Sequence, residues 1–498
     1  MSKPLEVTGE FPVLFNYSEG YIRLPVWGHI PMDKKVRAVV SHPGFFRLRG
    51  IKQLSFVEYV FPGATHSRLE HSIGVFHLTR QVFQSLVQNP VNLNNEFKRD
   101  TLSDENIRTL MAGALLHDLG HYPHAHLLED LNLSREDPTG FIHHQEMAEK
   151  FLFEVIDGTS LASILEDQWN VDPARVMAII RGNKELEPLG KIVSGNLDPD
   201  KMDYLVRDAH HCAVPYASVD IGRLIESFVL DSDRNRLAIT NKGIASFESL
   251  VFSKYMMTRH IYWHHTVKTF GAMMKRLVQD LMDDHLLPPE KLKQIFYESN
   301  DEQLLWRLSS ETSGLKDQNP SLVLLDYIIK RKPYKNLLSV GFTRDGKNGD
   351  QSGLVVVPKG VMDHQSKRYG REINTRDPLI LALNRLHHDP IFRKEKEIKI
   401  ADWLNTSTNG RYQILPHEVL IDAPGFHSIF EYADLMELHL FNPKENSFHP
   451  LHKNHVTMFQ PEFISAFEPF AKELQILVHP RLAELKKQSW ESVMGLFL

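Results

Sequence analysis

The chain has one cysteine, Cys212, among 498 residues, so no intrachain disulfide can brace it, and a reducing, cytoplasmic setting is expected. It has no apolar run near the roughly 18 residues that a membrane helix needs. Its opening, MSKPLEVTGEF, lacks a secretory-signal pattern, so no membrane partner is expected. Positive charge is not in excess either. Lys and Arg number 57 against 63 Asp and Glu, a net charge of −6. That balance argues against nucleic acid as the main ligand and leaves room for a local basic pocket. Internal repeats, low-complexity tracts and long like-charge blocks are missing as well. What is present is an ordinary globular composition, 42% hydrophobic and 24% charged, in a chain long enough for more than one core. The one excess is histidine: 27 in all, 11 of them before residue 145, and the chemistry is expected there.

Periodicity gives a mainly α fold. Residues 1–25 read as an N-terminal segment, 26–300 as a large helical lobe and 301–498 as a smaller α+β lobe with terminal helices. The first 50 residues look irregular with short extended pieces. From 51 to 300, apolar side chains recur at helical spacing, as in Ile107-Leu110-Met111-Ala114-Leu115, Met147-Phe151-Leu152-Val155 and Met273-Leu277-Leu281, and Pro288-Pro289 interrupts the series. Beyond 300, residues 344–350 read as turns, and residues 354–357, 419–422 and 435–441 as short strands. The stretch 461–498 reads as mostly amphipathic helix, with Phe463, Phe467, Phe470, Leu474 and Leu477 at helical spacing and Pro469 as a candidate kink.

Four polar segments interrupt these patterns: residues 65–72, 115–121, the histidines 124, 126, 143 and 144, and residues 196–208. In the last, Asp198 suits an N-cap and Pro199 the first helical position. Asp200, Tyr204, Arg207, Asp208 and His211 then share one side of a helix, which is poor core material and good material for a polar pocket. His117-Asp118 closes an apolar helix, where two unpaired polar side chains would be costly to bury. A divalent cation removes that cost. With His71 and Asp200 the set becomes two histidines and two aspartates, a mixed N/O donor set suited to Mn, Fe, Ni, Zn or, less readily, Mg.

The order His71 … His117-Asp118 … Asp200 resembles the HD superfamily of metal-dependent phosphohydrolases. Residues 45–54 (FFRLRGIKQL), 60–75 (VFPGATHSRLEHSIGV), 117–121 (HDLGH) and 200–208 (DKMDYLVRD) are similar to its deoxynucleoside triphosphate triphosphohydrolase branch, which includes the vertebrate SAM- and HD-domain enzyme and bacterial relatives. The likeness covers residues 22 to 275 and continues more weakly to 441. It implies a helical HD domain and hydrolysis of a dNTP to deoxynucleoside and inorganic triphosphate. His71, His117, Asp118 and Asp200 would bind the metal. Arg68, His121, Lys201, Tyr204 and Lys254 would hold the triphosphate. His126, Glu129 and His144 would form the acid/base group, and Gln53, Leu54, Asp208 and Tyr262 would surround the sugar. Three positions depart from the family pattern: Lys254 for Arg, Glu129 for Asp and Gln145 for Glu.

The resemblance further implies a homo-oligomer, dimer or tetramer, and a nucleotide effector. Arg49 matches a guanine-reading arginine of the vertebrate enzyme, whereas Ser41 and Phe46 replace its acid and glutamine, so GTP is not expected to be an obligatory activator. Two alternatives share the ligand set. One is an HD phosphohydrolase acting on a nucleoside monophosphate, cyclic nucleotide or alarmone. The other is a nucleotide sensor that binds without turnover.

Overall fold

The computed structural model describes residues 11–16, 19–89, 103–129, 131, 141–182, 189–193, 195, 197–231, 236–283, 287–315, 319–343, 354–356, 378–425, 438–451, 457–460, 463, 472–485 and 490–497. The fold is mainly α, with small sheets. An antiparallel hairpin, β1 (Tyr21–Leu24) and β2 (Gly28–Pro31), leads into α1 (Lys34–Ser41). The helix α1 was not expected. Its eight residues are too few for clear periodicity, but Asp33 caps it by accepting from Val36 N, and Val36, Val39 and Val40 bury one side.

The centre of the molecule is α2 (Arg68–Gln88), capped by Ser67 and buried on most of its circumference. It packs on α3 (Asp104–Leu116) and α7 (Pro199–His211). Asp104 and Glu105 place negative charge at the α3 N-terminus, and Asp198 caps α7 through Lys201 N at 2.8 Å with Pro199 in the first turn, as expected. Between them come α4 (Ala125–Glu129), α5 (His144–Phe153) and α6 (Pro173–Ile180). Most of the interior of this part is one apolar cluster running from Phe11 to Ile261 and joined by Leu438, Leu440, Leu451 and Phe459, whereas Phe56, Tyr122, Ala125 and Leu128 belong to a second cluster shared with the later helices.

The helical stretch is broken by two strands that the periodicity did not reveal, β3 (Phe228–Asp231) and β4 (Arg236–Thr240), which pair antiparallel. Next come α8 (Ile244–Met257), whose end widens into a π-helical turn at Thr258–Tyr262, and α9 (His265–Asp283), α10 (Pro289–Tyr297), α11 (Asp301–Glu311) and α12 (Val323–Ile329). Pro289 opens α10, so the proline pair separates two helices.

The later part carries β5 (Lys335–Thr343), β6 (Leu354–Val356), α13 (Pro378–His388), α14 (Pro390–Ser407), β7 (Val419–Asp422), β8 (His439–Asn442), β9 (Ser447–Pro450) and β10 (Glu473–Val478). The strands fall into two four-stranded sheets, β6-β5-β10-β7 and β3-β4-β8-β9. Strands thus occur within each of the three stretches expected beyond 300, although residues 357 and 435–437 lie outside the described residues and the third strand is His439–Asn442. Within 461–498 the described residues differ from the expected helix at 473–478: Leu474 and Leu477 lie in β10, where Leu474 pairs with Val340 and Leu477 with Leu420, while Trp490–Val493 form a short helix. Phe467, Phe470 and residues 344–350 lie outside the described residues.

Candidate metal centre and active site

The first turns of α2 and α7 meet the end of α3, which brings together four side chains from three helices. His71 and Asp200 come from those first turns; His117 caps α3, and Asp118 follows it. His71 Nε2 and His117 Nε2 are 3.2 Å apart. Asp200 Oδ1 is 3.0 Å from His71 Nε2 and 3.8 Å from His117 Nε2, and Asp118 Oδ1 is 3.4 Å from His117 Nε2.

The opposite nitrogen of each ring is already committed. His117 Nδ1 lies 2.8 Å from the Ala114 carbonyl, which can only accept, so this nitrogen donates. His71 Nδ1 lies 2.9 Å from Asp203 Oδ2. In the neutral rings both Nε2 atoms therefore present lone pairs to each other, beside two carboxylates. Such an arrangement calls for positive charge in the middle. Burial opposes charge on His71, but Asp200 and Asp203 outweigh it and push its pKa up to about 10. Burial likewise resists ionisation of Asp118, yet His121, Arg68, His117 and His71 hold its carboxyl well below the usual range. Two imidazoles and two carboxylates converging in this way fit a divalent cation, and His71, His117 and Asp118 form a candidate metal-binding group.

A second cluster adjoins the first. Arg68 Nη1 donates to Asp118 Oδ2 at 2.6 Å, and His121 Nδ1 sits 3.2 Å from Asp118 Oδ1. His121 Nε2 lies 3.1 Å from His126 Nε2, and its ring packs 4.0 Å from that of His144. Glu129 gathers this group. Its Oε1 accepts from the backbone and Nδ1 of His144 at 2.7 and 2.9 Å, while Oε2 is 3.7 Å from His126 Nδ1 and 3.4 Å from His143 Nε2. Burial lowers the His144 pKa to about 4 against the pull of Glu129, and burial with Arg68 lowers His121 well below its ordinary value. Glu129 resists ionisation through burial, but hydrogen bonds from His126 and His144 pull its carboxyl strongly down. At neutral pH the cluster thus holds an ionised glutamate and neutral His121 and His144. His126 is its most open member, with 63% of its side chain exposed.

A third group forms next to α7. Asp208 is buried and accepts from His66 Nε2 at 2.8 Å and Tyr262 Oη at 2.6 Å. Burial and Asp208 push the Tyr262 pKa well up, so its hydroxyl stays a donor. An antiparallel bridge between Lys52 and Ser67, with Gln53 N to His66 O at 3.0 Å and Arg68 N to Ile51 O at 2.9 Å, sets Gln53 and Leu54 beside the start of α2. Gln53 Oε1 is buried and has no hydrogen-bond partner among the described residues. Tyr204 packs 6.4 Å, ring to ring, from Tyr262. Lys201 donates to Asp198 Oδ2 and the Gly195 carbonyl, at 3.1 and 2.9 Å. Lys254 is half-buried in the last turn of α8, which packs on α7.

Sequence reasoning missed the supports of these groups. Arg207, expected to face the pocket, is fully buried and gives its guanidinium to Asp203 at 2.8 and 2.9 Å. Its i, i+4 spacing from Asp203 was the available signal. Arg47 donates to the carbonyls of Leu119 and His121, and its guanidinium lies 3.5 Å from the Phe151 ring centroid, which fixes the loop after His117-Asp118. Burial brings its pKa down to about 9. In the same loop, a Cβ on Gly120 would lie 1.9 Å from the His144 carbonyl oxygen, so only glycine allows this approach.

Residues 68–194 match the HD domain family, and residues 219–350 match an HD associated region. An uncharacterised protein of Methanocaldococcus jannaschii is 30% identical over 259 residues, which is 52% of this chain and 49% of that protein. The human deoxynucleoside triphosphate triphosphohydrolase SAMHD1 is 26% identical over 275 residues, 50% of this chain and 42% of the enzyme. The chain spans about half the length of the curated relatives it matches. A solved phosphohydrolase from Bacteroides thetaiotaomicron shares the fold with a TM-score of 0.61 at 20% identity, over 92% of this chain and 99% of that one. No helix among the described residues is long and apolar enough to cross a membrane. The chain therefore carries an HD domain and is an HD-superfamily relative of the deoxynucleoside triphosphate triphosphohydrolases.

Proposed function

We propose that this chain hydrolyses dNTPs to deoxynucleoside and inorganic triphosphate, with His71, His117, Asp118 and Asp200 as ligands of a divalent metal. The observation that carries this reading is the adjacency of two unlike clusters through Asp118: a cation-demanding set on one side and a glutamate-centred histidine group on the other. A bound divalent metal would polarise the α-phosphate and offset its charge. Arg68, within reach of Asp118, would hold phosphate oxygens in a bidentate fork, with His121 and Tyr204 beside it. Lys201 would exchange the Asp198 carboxylate for a phosphate, and Lys254 would add a second ammonium. Glu129 holds the Nδ1–H of His144, which leaves that ring's Nε2 as a base toward the attacking water. His126 would deliver a proton to the sugar oxygen as its bond to the α-phosphorus breaks and water adds to phosphorus. Asp208 and the unpartnered Gln53 Oε1 would receive the 3′-hydroxyl, and Leu54 with Tyr262 would close the space at the 2′ carbon.

Incubation with each dNTP and Mn²⁺, with resolved products, tests the reading. Deoxynucleoside and triphosphate are expected. Formation of dNMP and pyrophosphate would redirect it to another HD phosphoester reaction, and binding of dNTPs without turnover would make the protein a nucleotide sensor. The same proposal includes a homo-oligomer, dimer or tetramer, in a reducing cytoplasm. It also includes an effector site near Arg49, which stacks 5.1 Å over the exposed Phe46 ring. With Ser41 and Phe46 in place of a carboxylate and a carboxamide, guanine loses its paired acceptor. Turnover without GTP is therefore expected, and absolute dependence on GTP at saturating dNTP would overturn that part.

A further inference from the structure

Asp203 is the best-satisfied carboxylate near the metal centre, and it is not one of the proposed ligands. It is fully buried. Its Oδ2 accepts from His71 Nδ1 and Arg207 Nε, each at 2.9 Å, and its Oδ1 accepts from Arg207 Nη2 at 2.8 Å and from the indole Nε1–H of Trp27. Trp27 arrives from far away in sequence, on the tip of the β1–β2 hairpin. The hairpin is bent for this purpose. Trp27 N bonds back to Pro25 O at 3.0 Å around Val26, which has φ of 75°. That is a γ-turn of the rare, strained hand, and a β-branched residue is a poor occupant of it. The Pro25 carbonyl is also 3.4 Å from Arg207 Nη1, so the tip is tied to the Asp203–Arg207 pair twice. Gly74, inside α2, makes room: a Cβ there would stand 1.9 Å from Asp203 Oδ1. A helix-interior glycine is disfavoured relative to alanine, and backbone strain of this kind persists only where the surroundings enforce it.

We infer that the N-terminal hairpin is an outer-shell part of the metal centre: Trp27, through Asp203, sets the ring of His71 and so the affinity for the metal. The inference rests on the reading of His71 as a ligand. Outer-shell partners of a ligating histidine fix its tautomer and orientation, and losing one lowers metal affinity by about 10–100-fold. Trp27 is a positioning residue in this scheme and touches neither metal nor substrate.

The test is titration of the full chain with Mn²⁺ by calorimetry, alongside thermal unfolding with and without Mn²⁺, for wild type, Trp27→Phe and His71→Ala. Trp27→Phe keeps an aromatic ring and loses the donor. It is expected to weaken Mn²⁺ binding by about 10–100-fold and to shrink the gap between the metal-loaded and metal-free unfolding midpoints. A merely structural role would lower both midpoints equally and leave the gap and the affinity unchanged; that result overturns the inference. If wild type binds no Mn²⁺, or His71→Ala binds as wild type does, the reading of His71 as a ligand fails and the inference falls with it. Should Trp27→Phe fail to fold, β-(3-benzothienyl)alanine at position 27 replaces only the indole N–H by sulfur, and unchanged Mn²⁺ affinity in that protein overturns the proposal equally.

Discussion

The two clusters that meet at Asp118 are both rich in histidine, yet they are built differently. At His71 and His117 each ring has its Nδ1 donated to an anchored acceptor, and the two Nε2 atoms converge beside Asp118 and Asp200. At His121, His126 and His144 the rings face one another, His126 and His144 beside Glu129 and His121 beside Asp118, and burial strips His121 and His144 of charge. Under the proposed function, fixed tautomers with converging lone pairs and two acids would serve as ligands, and neutral rings in mutual contact, one of them open to solvent, would serve as proton carriers. A histidine's role thus depends on what its second nitrogen is given to, a property that composition does not report.

The strongest way to break this comparison is to remove ligands. Asp200→Ala, or His117→Ala with Asp118→Ala, is expected to abolish bound metal and to lower kcat/KM by about 10³-fold or more, because the metal supplies several kcal/mol of charge stabilisation. Metal content and circular dichroism of the same preparations check it. Full activity in metal-free, folded Asp200→Ala would assign the site wrongly.

The second cluster should behave otherwise. Glu129→Gln and His126→Ala are expected to lower kcat by about 10²–10⁴-fold while metal content stays that of the wild type. Loss of metal in either variant would merge the two clusters into one and end the distinction drawn between them.

How far this division could be read beforehand depended on locality. The helix ends that bring the proposed ligands together were legible because His117-Asp118 ends an apolar helix and Asp198-Pro199 starts a polar one. Both are short-range signals, and the caps formed where expected. The supports were not legible, since the bond between Trp27 and Asp203 joins residues 176 positions apart. Strand β10 shows the same limit in the fold. Residues 474–478 are buried at five successive positions because β10 lies between β5 and β7 and is covered on both faces, and with Gln475 inside and Ile476-Leu477-Val478 contiguous no sustained alternation marks it as a strand. Read together with Phe463, Phe467 and Phe470, its leucines fell at helical spacing by accident. The missed strands β3 and β4 are short and largely buried, which removes alternation there too.

A smaller effect concerns the sugar. If Leu54 and Tyr262 crowd the 2′ carbon while Gln53 Oε1 takes the 3′-hydroxyl, a ribose 2′-hydroxyl is desolvated without a partner, at about 1–3 kcal/mol. A dNTP should then exceed its rNTP in kcat/KM by about 10–100-fold. Gln53→Leu should weaken dNTP turnover through KM more than through the metal content. Equal kcat/KM for the two sugars would remove this third group from the site.

The smallest expected effect uses His124 as a control, a half-buried histidine that belongs to neither cluster. Its ring stacks on Phe56 at 4.3 Å and bonds to Ser55. Burial, with a lesser push from Lys52, lowers its pKa from the ordinary 6.5 to about 3. The unfolded chain therefore takes up this proton first as pH falls. The stability His124 contributes is complete above pH 6.5 and is lost as the pH drops toward 3, with a limiting slope of one proton, about 1.4 kcal/mol per pH unit. His124→Asn removes the titration and suits the backbone, because residue 124 has φ of 56°, a region that asparagine tolerates. Urea unfolding between pH 7 and 4 should show a shallower decline for this variant by up to one proton, whatever the loss of stacking does at neutral pH. An unchanged slope would mean that burial alone does not keep His124 neutral, and the argument that burial strips charge from His121 and His144 would need another cause.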